Sequence, residues 1–141
     1  MKYHFVLRKK GDNYYAKGID INYYYQAGSE AKLLDEIPYT LQNYLKLNFD
    51  GVYDPNVFYK WEPEPGDTTM FEVKIPIDFA FGLILRHIRK ITPGGKKIMM
   101  KELGVKNEHI YDSLESYYLH DLKDLSIVKR CASFPIEWLL D

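Results

Sequence analysis

The sequence predicts an α+β protein: a small sheet-and-helix domain over residues 1–77, followed by an all-helical domain over 78–141. Three observations predict it. Apolar and polar residues alternate at 2–8 and 71–75, the period of a strand, and two further short strands are read at 14–19 and 23–26. Helical spacing governs 31–45 and returns from Asp78 to the end. Between them, 48–69 (NFDGVYDPNVFYKWEPEPGDTT) is rich in Pro, Gly and Asp and reads as a long loop or linker.

Taken in order, Tyr3, Phe5 and Leu7 line one side of the first strand, with His4, Val6 and Arg8 on the other. Lys9-Lys10-Gly11-Asp12-Asn13 supplies the residues of a hairpin turn, and Tyr14 to Ile19 forms the second strand. A third short strand runs through Tyr23-Tyr24-Tyr25-Gln26. Ser29 stands where an N-cap belongs, ahead of Ala31, Leu34, Ile37, Leu41, Tyr44 and Leu45 as the helix's apolar positions. Pro38 falls inside that helix, where it costs about 3 kcal/mol unless the helix kinks or starts late. Phe71, Val73 and Ile75 make the fourth strand, ended by Pro76.

In the second half, Phe81, Leu85 and Ile88 share one face of a helix stopped by Thr92-Pro93-Gly94-Gly95. Ile98, Met99, Met100 and Leu103 belong to a short helix closed by Gly104. A third helix buries Ile110 and Leu114, and a fourth, HDLKDLSIVKRCASF, turns Leu122, Leu125, Val128 and Ala132 inward. The apolar tail Pro135–Leu140 is expected to dock on the helical part or on a second copy of the chain.

The 141 residues, 46% apolar and 28% charged, have the composition of a folded soluble domain. No apolar run approaches the roughly 18 residues of a membrane span. The start, MKYHFVLRKK, lacks a signal peptide's apolar stretch, and the single cysteine, Cys131, leaves no intrachain disulfide. A cytoplasmic location is expected. The net charge of −1 conceals local blocks: +4 over 1–10, −7 over 11–78, +6 over 79–106 and −4 over 107–141. Such a basic block within an acidic chain points to a surface that meets a polyanion.

That block coincides with the one motif of mechanical content. Two short helices joined around Leu103-Gly104-Val105 carry the signature of a helix-turn-helix, in which the glycine permits the left-handed turn. Lys96 and Lys97 open its first helix, Lys101 follows, and Lys106 opens the second, where free N–H groups and positive charge favour phosphate. Asn107 and His109 can hydrogen-bond base edges. Glu108, Asp112 and Glu115 oppose phosphate unless they point away or accept from cytosine.

The first 47 residues resemble the N-terminal part of HicB-type antitoxins: a strand, a charged hairpin with GDNYYAKGID, a third strand, then a glycine and the helix SEAKLLDEIPYTLQNYL. The stretch KKIMMKELGVKNEHIYDSLESYYLHDLKDLSIVKRCASF resembles the Xre/Cro-like helix-turn-helix that some HicB proteins carry. The resemblance implies a degraded RNase H-like β-β-β-α-β unit, with 71–75 as its last strand. It also implies a non-catalytic antitoxin whose N-terminal domain, through Tyr23, Tyr24 and Tyr25, blocks a HicA-like mRNA interferase. The helix-turn-helix would bind the operator of its own operon as a homodimer or higher homo-oligomer, with no cofactor. Competing readings are a helix-turn-helix regulator with a ligand-sensing or assembly domain, and a non-catalytic interaction protein.

Other constellations argue for little. Two-metal nuclease chemistry needs several convergent carboxylates, and only Asp20 and Glu30 are candidates. The thirteen tyrosines suit packing or a protein interface better than base stacking, because residues 1–78 sum to −3. His4, His87, His109 and His120 show no metal-ligand spacing, Cys131 has no partner base, and Glu62, Glu64 and Asp67 read as a solvated loop.

Overall fold

The computed structural model describes residues 1–52 and 64–116. Strands β1 (Lys2–Lys10), β2 (Asn13–Gly18) and β3 (Tyr24–Ala27) lead into helix α1 (Glu30–Val52). After β4 (Asp67–Lys74) come α2 (Ile77–Ile91), α3 (Gly95–Leu103) and α4 (Glu108–Glu115). The described residues thus form an α+β chain, with four helices and a four-stranded antiparallel sheet ordered β3-β2-β1-β4. They divide into two compact units, Lys2–Ile75 and one that starts at Pro76 and includes Met1. Among them no helix is long and apolar enough to cross a membrane.

In the first unit, β1 is central and the most apolar strand. Tyr3, Phe5 and Leu7 are buried on the side that carries α1: Phe5 meets Tyr23 edge-on, and the Tyr23 ring lies 4.8 Å from that of Tyr44 in α1. The sequence expects Val6 on the other side, and there it is nevertheless buried, with Lys17 and Met70 as its cross-strand neighbours. Gly18 is required where β2 ends. A side chain there would come within 2.2 Å of the Ile21 carbonyl oxygen, against which the chain folds as Gly18 N–H donates to the Tyr23 carbonyl.

Helix α1 begins as its sequence dictates, with the Ser29 hydroxyl accepting from the Lys32 N–H. Its buried stripe is Leu33, Ile37, Leu41, Leu45 and Phe49, a run of i, i+4 steps along one face. Leu34, expected inside, is 42% exposed, and Ala31 is exposed too; the stripe lies one position earlier in the first turn. Pro38 stays within the 23-residue helix. The expected loop at 48–69 is therefore shorter at both ends, because α1 continues to Val52 and β4 starts at Asp67.

In the second unit, α2 is buried at every position from Phe79 to Leu85 and again at Ile88. It packs against both α3 and α4. Met99 and Leu103 of α3 and Tyr111 and Leu114 of α4 complete the buried set. One expectation is corrected here: Ile110 is 47% exposed, and Ile98 of α3 is exposed too, at 43%. Tyr111, at i, i+3 from Leu114, takes the place assigned to Ile110. It offers the larger ring to the α2 face, and its neighbour is turned about 100° away to solvent. The fourth helix at 120–134, the tail at 135–140, Cys131, His120 and Glu62 lie outside the described residues.

Candidate nucleic-acid and partner surfaces

The turn between α3 and α4 is built by two residues. Gly104 adopts φ 66°, ψ 22°, the left-handed conformation that favours glycine, and its N–H and that of Val105 return to the Lys101 and Met100 carbonyls. Asn107 then caps α4, its side-chain oxygen accepting from the His109 N–H at 2.8 Å. The Asn107 oxygen is thus occupied by the cap, and its NH₂ group is what it can still offer a ligand.

The six residues marked for nucleic acid separate into two groups. Lys97 and Lys101, four apart on α3, Lys106 in the turn, and Asn107 and His109 at the start of α4 are all exposed. Lys97, Lys101 and Lys106 make no ion pair among the described residues. Lys96 is different. Its ammonium lies 2.7 Å from Asp112 Oδ1 and 3.3 Å from Glu108 Oε2, over the Tyr111 ring at 5.8 Å. The hydrogen bond to Asp112, first, and that to Glu108 hold its pKa above the ordinary lysine value. Glu115, the third opposing acid, faces inward and takes a bidentate bond from Arg89 of α2, at 2.5 and 3.1 Å. The acids that weaken the motif on paper are therefore each engaged by a cation. Beside them the Tyr111 hydroxyl is buried without a hydrogen-bond partner among the described residues. Burial, with Glu115 close by, raises its pKa strongly.

On the first unit, the strand pleat splits the tyrosine triplet. Tyr25 donates its hydroxyl to the Glu36 carboxylate of α1, and Tyr23 packs between Phe5 and Tyr44, so both serve the fold. Tyr24 points to the other face, 55% exposed, with its ring 5.4 Å from that of Tyr15. The three do not form one surface. The open face also carries Met70, 60% exposed, and a charged ladder. Arg8 pairs with Asp67 and, at 2.7 Å, with Glu64; the Arg8 hydrogen bond holds the Asp67 carboxyl below the usual carboxylate range. His4 sits between two carboxylates, Nδ1 2.7 Å from Asp20 and Nε2 3.3 Å from Glu72, which Lys2 also contacts. Asp20 is thereby a partner of His4, whereas Glu30 stands exposed in the first turn of α1. Among the described residues no group of histidine, cysteine or acidic side chains is arranged to hold a metal ion.

Sequence reading misses the His4 cluster and the Tyr15–Tyr24 pair, because both depend on strand register. The split of Tyr23 and Tyr25 from Tyr24 had a signal, since alternate residues of a strand face opposite sides. No family model, curated protein or solved structure matches the chain.

Proposed function

We propose that the chain is an antitoxin and autorepressor of the HicA/HicB type. In this reading α3 and α4 act as a helix-turn-helix on operator DNA, and the sheet unit covers a small RNA-cleaving toxin without catalysing a reaction. The observation that carries it is the distribution of charge around the α3–α4 turn. Among the described residues Lys97, Lys101 and Lys106 stand exposed and without an ion pair, while Met99, Leu103, Tyr111 and Leu114 are buried with α2. Unpaired lysines flanking a helix N-terminus are what phosphates require, with Asn107 and His109 beside them to reach base edges.

The partner half of the proposal draws on the open sheet face, where Tyr24 and Met70 are exposed large side chains. The surrounding stretch 11–78 has a net charge of −7, a sign suited to steering a basic RNA-binding partner. The test is co-expression with the short reading frame beside the gene. Co-purification and rescue of growth are expected; no complex and no toxicity would remove the antitoxin half and leave the DNA regulator. The cleft described next favours a second reading, a regulator whose sheet unit senses a small ligand.

A further inference from the structure

At the hairpin end of the open sheet face, Arg8, Lys9, Lys10, Tyr15, Tyr24, Glu64 and Pro65 line a cleft of about 420 Å³. That volume is within the range of small-molecule sites. Its floor is the Tyr15–Tyr24 pair, the rings tilted by 31° and Tyr24 more than half exposed. Burial and the neighbouring Tyr15 ring raise the Tyr24 pKa, so the phenol stays neutral near pH 7. Arg8 is held in place by Asp67 and Glu64, and Lys17 also contacts Glu64, so both acids near the cleft are neutralised by side chains of the sheet. Lys10, which alternates onto the open face with Arg8, is in no ion pair among the described residues; Lys9 alternates to the opposite face, where its ammonium rests 5.5 Å from the ring centre of its cross-strand neighbour Tyr14.

An exposed aromatic face beside an uncommitted ammonium group recognises a planar ring joined to an anion. We propose that this cleft binds a nucleotide, with the base stacked on Tyr24 and the phosphate held by Lys10. The low charge summed over 1–78 does not argue against this, because Arg8 and Lys10 lie together at the hairpin end of the open face, whereas Glu30, Asp35 and Glu36 lie on α1. The base contributes stacking and the phosphate contributes orientation. The inference does not rest on the antitoxin reading.

The test uses the full chain labelled for NMR and titrated with adenosine monophosphate and, separately, with a uridine oligonucleotide of about ten residues. Saturable shifts confined to the amides of residues 8–10, 15 and 24 are expected. Tyr24→Ala and Lys10→Glu should each weaken binding about tenfold or more. Tyr24→Phe keeps the ring and should retain binding. Lys97→Glu with Lys101→Glu should leave it intact, which separates this cleft from the α3–α4 surface. Tighter, salt-steep binding of the oligonucleotide would identify an RNA strand as the source; equal affinity would identify a free nucleotide. Absence of saturable shifts, or unchanged affinity in a folded Tyr24→Ala protein, would overturn the proposal.

Discussion

Lys96 Nζ on α3 lies 2.7 Å from Asp112 Oδ1 on α4. One cation of the basic block therefore belongs to the acids of the neighbouring helix rather than to the outward surface. This pairing explains how an acidic helix sits beside a lysine-rich one. It also sets an internal competition, because a phosphate that attracts Lys96 must draw it from Asp112 and Glu108.

Relieving that competition should strengthen DNA binding. Asp112→Asn combined with Glu108→Gln removes two repulsive charges and frees Lys96. A gain of roughly three- to tenfold in affinity at low salt is expected, shrinking as salt rises. Fluorescence anisotropy with labelled duplex reads it. A loss of affinity would mean that the acids themselves contact bases.

Among the described residues the buried Tyr111 hydroxyl has no hydrogen-bond partner, so removing it should cost little. Tyr111→Phe keeps the ring that fills the α2 face. It is expected to leave stability unchanged or raise it by about 1 kcal/mol, the scale of an unsatisfied buried polar group. The sign with pH follows from the raised pKa. Wild-type stability is full below the ordinary tyrosine value near 10 and falls as pH rises beyond it. The Phe variant should lose part of that alkaline slope, measured by urea denaturation across pH.

Arg8 and Asp67 tie β1 to β4 at the bulged end of their ladder, and both side chains are largely shielded, 16% and 9% exposed. The Asp67 carboxyl is held low, chiefly by the Arg8 hydrogen bond. Its contribution is present above the ordinary carboxylate range and disappears as pH falls through it. Asp67→Asn should destabilise the fold by about 1–2 kcal/mol at neutral pH. The two proteins should converge in acid, and a pH-independent difference would refute the charge-based explanation.

Pro38 lacks the N–H that would reach the Leu34 carbonyl, within a helix that otherwise continues to Val52. Pro38→Ala restores the donor and should raise stability by about 1–3 kcal/mol, read as a higher thermal midpoint. An unchanged or lowered midpoint would show that the proline is matched to its backbone and restricts the unfolded chain usefully.

Much of the fold was legible because period and punctuation agreed. The alternation at 2–8 and 71–75, the Ser29 cap and the Gly104 stop all appear where the residues require them. Leu33 in place of Leu34, and Tyr111 in place of Ile110, could not be read. Neighbouring apolar residues on a helix differ by only about 100°, and docking decides between them. The linker was drawn too long because Asn48 to Val52 carry weak helix formers whose helix is held by burial of Phe49. The candidate surfaces were half legible. Lysine spacing marked Lys97, Lys101 and Lys106, but nothing local in the sequence distinguished Lys96, whose partners are 12 and 16 residues away across a turn. The Tyr15–Tyr24 pair likewise depends on the register that sets Tyr24 opposite Lys17.

The most direct test is DNA affinity as a function of salt for the wild-type chain and for Lys97→Glu, Lys101→Glu, Lys106→Glu combined, using duplex from upstream of its own gene. The wild type should show a linear fall of log affinity with log salt. The triple variant should lose most binding, with a slope shallower by about 0.9 for each phosphate contact removed. Equal affinity and equal slope in the folded variant, or no salt dependence in the wild type, would contradict a DNA-binding role for α3 and α4.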